Sequence, residues 1–145
     1  LVELTDDIAP SELTDDIAPS VLCAAILHDS LEDTDISQSK ILNEFGADTL
    51  EMVKALTDDK SLPLSRRRKN VLAKLPAATN HIRRIKLADL CSNVSAIPAN
   101  WDEKRLTDYF LWLDQVAKLC RVSSEALYQE YLVRKLNATL HHKVL

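Results

Sequence analysis

The chain has 145 residues, 46% of them hydrophobic and 28% charged, which is enough for one folded domain with its own core. Its 18 basic and 22 acidic residues give a net charge of −4 and no overall case for nucleic-acid binding, and no run of apolar residues is long enough to span a membrane. A single Gly argues against hairpin-rich β architecture, so the chain reads as all-α, a single domain over 1–145 with about six to eight helices of mixed direction.

Residues 3–11 and 12–20 are the same nine residues, Glu-Leu-Thr-Asp-Asp-Ile-Ala-Pro-Ser, written twice. Nine residues are too few for a solenoid unit, so segment 1–20 reads as a local duplication ahead of the fold. Ser20 is placed to cap a helix over Val21–Asp33. That helix is apolar almost all round before His28, which predicts a central position. It ends in His28-Asp29 and, four residues on, Glu32-Asp33. Positions four apart share a helix face, so one imidazole and three carboxylates gather on about a turn and a half. Such a cluster needs a positive partner, and a divalent cation is the natural one.

Ser37 caps a short helix, Gln38–Phe45, which Gly46 ends. A further helix covers about 47–56, with Leu50, Val53 and Leu56 on one face. The loop Thr57–Pro63 is polar. Arg66-Arg67-Arg68-Lys69 then open a helix running to Leu75, against the helix dipole. The run reads either as a solvated face or as a local anion site. Residues 79–97 form one helix with Ile82, Ile85, Leu87, Ala88, Cys91 and Val94 as its apolar positions. Asp89 is embedded among them, which is costly unless it is paired or ligates a metal. Asn93 lies one turn on. Asp102 caps a helix over about 103–120, and Ser123-Ser124-Glu125 starts a last one to about 138. Leu140–Leu145, with His141 and His142, reads as a frayed end. Cys23, Cys91 and Cys120 lack metal-type spacing and read as buried free thiols.

A lone His-Asp pair is weak evidence, and a purely structural pair stands beside the functional reading. Three features strengthen the latter: the pair ends an apolar helix, Glu32-Asp33 follows, and a second embedded Asp occurs in Lys86-Leu-Ala-Asp89. His28, Asp29 and Asp89 are candidate ligands of one ion, and the mixed N/O set suits Mn²⁺, Fe²⁺ or Zn²⁺ better than Ca²⁺.

Leu27-His28-Asp29-Ser-Leu-Glu32-Asp33-Thr-Asp35, Glu44-Phe45-Gly46, Leu56-Thr57-Asp58-Asp59-Lys60-Ser-Leu-Pro63 and Ile85-Lys86-Leu-Ala-Asp89, with Asn93 four residues on, resemble the HD-domain hydrolases of the RelA/SpoT type. The small stand-alone alarmone hydrolases are the subgroup most resembled, through the Thr57–Pro63 loop and Tyr109-Phe110 ahead of Asp114-Gln115-Val116. The resemblance covers about residues 20–130. With no signal peptide and no long apolar run the protein is expected to be cytoplasmic, and the resemblance implies an HD-like helical domain and a Mn²⁺-dependent enzyme (or one using another divalent metal) that removes the 3′-pyrophosphate of guanosine tetra- or pentaphosphate. By resemblance His28, Asp29 and Asp89 are metal ligands, Glu32 and Asp33 orient or activate the attacking water, and Asn93 and Tyr109 contact the guanosine nucleotide. No nucleic-acid or membrane partner is implied, and a homo-oligomer is left open.

One feature departs from the family, which has a further His on a helix ahead of the His-Asp pair. This chain has no His before His28, and His81 lies two turns, about 12 Å, from Asp89. The start at Leu1 reads as a chain whose first residues lie further upstream, and three protein ligands alone predict weaker metal binding. The competing reading is therefore an HD-like module that has lost its metal and binds a nucleotide or a protein. Hydrolysis of another phosphorylated nucleotide, such as a nucleoside monophosphate or NADPH at its 2′-phosphate, is a third reading.

Overall fold

A computed structural model describes residues 17–144, and among them every regular element is helical. Residues 3–16 of the duplicated segment 3–20 lie outside the described residues. The elements are α1 (Pro19–Leu27), α2 (Ser30–Asp33), α3 (Gln38–Phe45), α4 (Ala47–Leu56), α5 (Leu64–Lys74), a 3₁₀ turn (Leu75–Ala77), α6 (Asn80–Ser95), α7 (Glu103–Cys120), a second 3₁₀ turn (Arg121–Ser123) and α8 (Glu125–Val144). The expected all-α class is what is found. No described helix is long and apolar enough to cross a membrane. The chain divides into two units, Leu1–Arg67 and Arg68–Leu145, each helical in its described residues, with α5 crossing the boundary.

In the first unit α4 packs on α1 and α3. Val21, Ala24 and Ala25 of α1, Ile41 of α3, and Thr49, Met52 and Val53 of α4 are buried. The buried Thr49 hydroxyl donates to the Ser20 carbonyl at 3.3 Å, so its polar group is satisfied. Gly46 joins α3 to α4 at φ +91°, a conformation that side chains with a Cβ adopt only under strain. Three expectations are corrected here. Helix α1 begins at Pro19, whose fixed φ suits the first helical position, so Ser20 lies inside the first turn and is not the cap. Helix α1 is also not buried all round, since Ile26 is 66% and Leu22 39% exposed: the Ala pair and Val21 form its single buried stripe. Finally, Val21–Asp33 is not one helix, because it is interrupted at His28-Asp29.

In the second unit α6 packs on both α7 and α8. Ile85, Leu87, Ala88, Leu90, Cys91 and Val94 of α6 meet a core that includes Leu113, Val116 and Ala117 of α7 and Leu127 and Tyr131 of α8. Thr79 caps α6 by accepting from the Ile82 amide, and Asp102 caps α7 by accepting from the Arg105 amide at 2.8 Å. Each cap is worth about 1 kcal/mol. Asp114 of α7 clamps α8 by accepting from the Tyr131 hydroxyl and the Lys135 ammonium, both at 2.7 Å. The expected frayed end is instead helical to Val144. No Gly or Pro interrupts α8, and the His142 ring is bracketed by the Ala138 carbonyl at 2.9 Å and the Pro98 carbonyl at 3.4 Å. Of the three thiols, Cys91 and Cys120 are buried as expected, whereas Cys23 is only partly so.

Candidate active site

The interruption between α1 and α2 shapes the first half of the site. His28 ends α1 with helical angles, but Asp29 moves to φ −96°, ψ 0°, the bridge between helical and extended backbone. The Asp29 carbonyl then accepts from both the Glu32 and Asp33 amides and restarts the helix. His28 Nδ1 lies 2.6 Å from the Ala25 carbonyl. A carbonyl only accepts, so Nδ1 carries the proton, and in a neutral imidazole the lone pair falls on Nε2. That Nε2 lies 3.1 Å from Asp29 Oδ2. Two lone-pair donors facing each other at this distance call for a proton or a cation between them. A ring nitrogen fixed by a backbone carbonyl, with the other aimed at a carboxylate, is the arrangement of a metal-binding His. The donor chemistry of His28 and Asp29 therefore fits a divalent ion.

The Glu32 and Asp33 carboxylates take hydrogen bonds from the 57–63 loop. Glu32 Oε1 accepts a short hydrogen bond from the Asp58 amide. The Lys60 ammonium stands 3.0 Å from Asp33 Oδ1 and 3.7 Å from Glu32 Oε2. The hydrogen bond to Asp33 is the main cause of a raised Lys60 pKa, with the charges of Asp33, Glu32 and Asp29 adding to it. The loop is itself pinned. Asp59 accepts from the Ser61 amide and hydroxyl, the Thr57 hydroxyl donates to the Val53 carbonyl, and Arg67 reaches Asp58 at 3.0 Å and the Leu62 carbonyl at 3.2 Å.

In the second unit Asp89 lies 3.6 Å from Lys86, three residues earlier on α6. Asn93 is exposed one turn further along the same helix. Tyr109 of α7 is edge-on to Trp101 and stacked beside Trp112. Burial, and next the charge of Asp89, push the Tyr109 phenol up from its ordinary pKa, while Arg68 opposes them. The phenol therefore remains a donor at neutral pH. Lys60, the Arg67–Asp58 pair and the stack of Arg68 on Tyr109 and Trp112 escaped the sequence reading. The signal for Lys60 was present: it is the one cation within the otherwise acidic Thr57-Asp58-Asp59-Lys60 loop.

No family model matches the chain. Over 114 residues it is 34% identical to the guanosine-3′,5′-bis(diphosphate) 3′-pyrophosphohydrolase MESH1 of Danio rerio, an alignment that covers 76% of this chain and 63% of that protein. The MESH1 protein of Homo sapiens is 37% identical over 102 residues, 68% of this chain and 57% of its own length. The chain thus spans about three fifths of the length of the curated relatives it matches. Among solved structures it resembles one described as a metazoan ortholog of SpoT that hydrolyzes ppGpp, with a TM-score of 0.77 and 30% identity, over 92% of this chain and 74% of that one.

Proposed function

This chain belongs to the family of stand-alone, HD-type guanosine-3′,5′-bis(diphosphate) 3′-pyrophosphohydrolases, and from that premise we propose that it is a Mn²⁺-dependent hydrolase of guanosine tetra- and pentaphosphate. The family implies a divalent metal. His28, Asp29 and Asp89 are the residues that would hold it. The observation that carries the reading is the His28–Asp29 pair, whose Nε2 and Oδ2 face each other at 3.1 Å with Nδ1 committed to the Ala25 carbonyl.

When bound, the ion supplies positive charge against the phosphoryl charge that builds in the transition state and makes water at the site more acidic. The remaining work falls to the protein. Glu32 accepts a proton from the attacking water, and Asp33 orients that water. Lys60 and the Asp58 amide hold both carboxylates in place, so their geometry is set before substrate arrives. Water adds to the phosphorus bonded to the 3′ oxygen, the bond from phosphorus to that oxygen breaks, and the departing oxygen takes a proton from solvent, so the nucleotide leaves with a 3′ hydroxyl. Pyrophosphate is the other product. Asn93 and the Tyr109 phenol serve as hydrogen-bonding partners of the nucleotide. Incubating the chain with guanosine tetraphosphate and Mn²⁺ should yield GDP and pyrophosphate in equal amounts on anion-exchange chromatography. Release of single phosphates instead would move the chain to another phosphohydrolase class.

A further inference from the structure

Arg68 differs from the other partly buried arginines of the chain. Arg67 bonds Asp58 and the Leu62 carbonyl, Arg83 bonds the Leu75 and Pro76 carbonyls, and Arg84 bonds the Ser123 carbonyl. Arg68 finds no hydrogen-bond acceptor and no carboxylate among the described residues. Its guanidinium instead lies over two rings, 5.1 Å from the centroid of Trp112 and 5.7 Å from that of Tyr109. Arg68 is partly buried, and shielding a guanidinium from water without an acceptor carries a cost that cation–π contact offsets only in part. The Lys86 ammonium reaches the same Trp112 ring at 5.9 Å. The Trp112 indole N–H is buried and has no acceptor among the described residues. Around one ring stand a guanidinium, an ammonium, an indole N–H and the Tyr109 phenol. All of them offer hydrogens, and Asp89 is the acceptor beside them.

We propose that Arg68 and Lys86, gathered on the Trp112 ring, form a subsite for a phosphate group of the nucleotide. The planar fork of Arg68 suits two phosphate oxygens, and the rings beneath hold it flat for them. The basic run at 66–69 thereby divides into separate roles: Arg67 pins the loop, Arg68 receives the anion, and Arg66 and Lys69 face solvent. The assignment of this anion to the substrate rests on the hydrolase reading above.

Inorganic pyrophosphate, titrated calorimetrically into the full chain in the presence of chelator, tests the subsite without needing metal or turnover. Arg68→Gln should weaken binding about tenfold to a hundredfold, Lys86→Gln should weaken it less, and Arg68→Lys should restore part of the loss. Arg66→Gln, which removes the same charge from the same run, should change it less than about twofold. Circular dichroism on each variant separates lost binding from lost fold. Pyrophosphate affinity unchanged in both Arg68→Gln and Lys86→Gln, an equal loss in Arg66→Gln, or no binding by the unmodified chain would overturn the proposal. If pyrophosphate binding follows Arg68 while guanosine tetraphosphate is not hydrolysed, the subsite stands and the hydrolase reading falls. If turnover is found but affinity ignores Arg68, the reverse holds.

Discussion

The Lys60 ammonium sits 3.0 Å from Asp33 Oδ1, 27 residues away in sequence, and holds the polar loop against the acidic pair of α2. Both partners are more than half exposed, so the pair contributes little to stability and its value lies in position. Lys60→Met should lower kcat on guanosine tetraphosphate about tenfold to a hundredfold with little change in melting temperature. Lys60→Arg should recover most of the loss. A Lys60→Met protein with unchanged kcat would remove Lys60 from the positioning of Asp33.

Glu32→Gln keeps an oxygen to accept the Asp58 amide but loses the charge that takes a proton from water. The loop and metal binding should survive, and turnover should fall by about 10² to 10⁴. Metal stoichiometry measured beside kcat decides the role. Loss of the ion in this variant would place Glu32 among the ligands.

Asp89→Ala should abolish metal binding and hydrolysis while far-ultraviolet circular dichroism stays helical. Asp89 is partly buried and paired with Lys86, whereas α6 is held by its apolar positions. A variant that still binds Mn²⁺ with unchanged affinity would contradict the ligand assignment.

Burial pushes the Cys91 thiol up to about 12 and the Cys120 thiol up to about 11, from an ordinary value near 9.0. In the unfolded chain both thiols ionise near pH 9, but in the fold they do not. The stability they contribute is therefore whole below pH 9 and lost progressively as pH rises toward 11 to 12. Thermal unfolding should give a flat midpoint up to about pH 9 and a falling one above it, and Cys91→Ala should flatten part of the fall. In the native state Cys23 should react readily with a thiol reagent while Cys91 and Cys120 react only on unfolding. Fast labelling of all three thiols would contradict the burial.

Much of the fold was legible because its signals are local. Asp102 caps α7, Gly46 ends α3, and the 3.6-residue spacing from Ile85 to Val94 buries one stripe of α6. What escaped depends on geometry that spacing does not encode. The break at His28-Asp29 hides inside a strongly apolar run, and only the bridge-region backbone of Asp29 reveals it. The start of α1 was misread because Ser20 is a good cap in isolation, while Pro19 is the stronger starter. At the candidate site, the need for positive charge beside Glu32 and Asp33 was readable. That Lys60 supplies part of that charge was not, because the contact closes across 27 residues. The four basic residues at 66–69 look alike in sequence. Their surroundings separate them, since Arg67 meets a carboxylate and Arg68 meets two aromatic rings.

The most direct test of the central claim is pyrophosphate release from guanosine tetraphosphate by this chain, followed with and without Mn²⁺ and repeated with Glu32→Gln. We predict release that requires the metal, stops with chelator and drops at least a hundredfold in the variant, with GDP as the nucleotide product. Release at equal rates by the chain and by Glu32→Gln, or no release at any Mn²⁺ concentration, would contradict it.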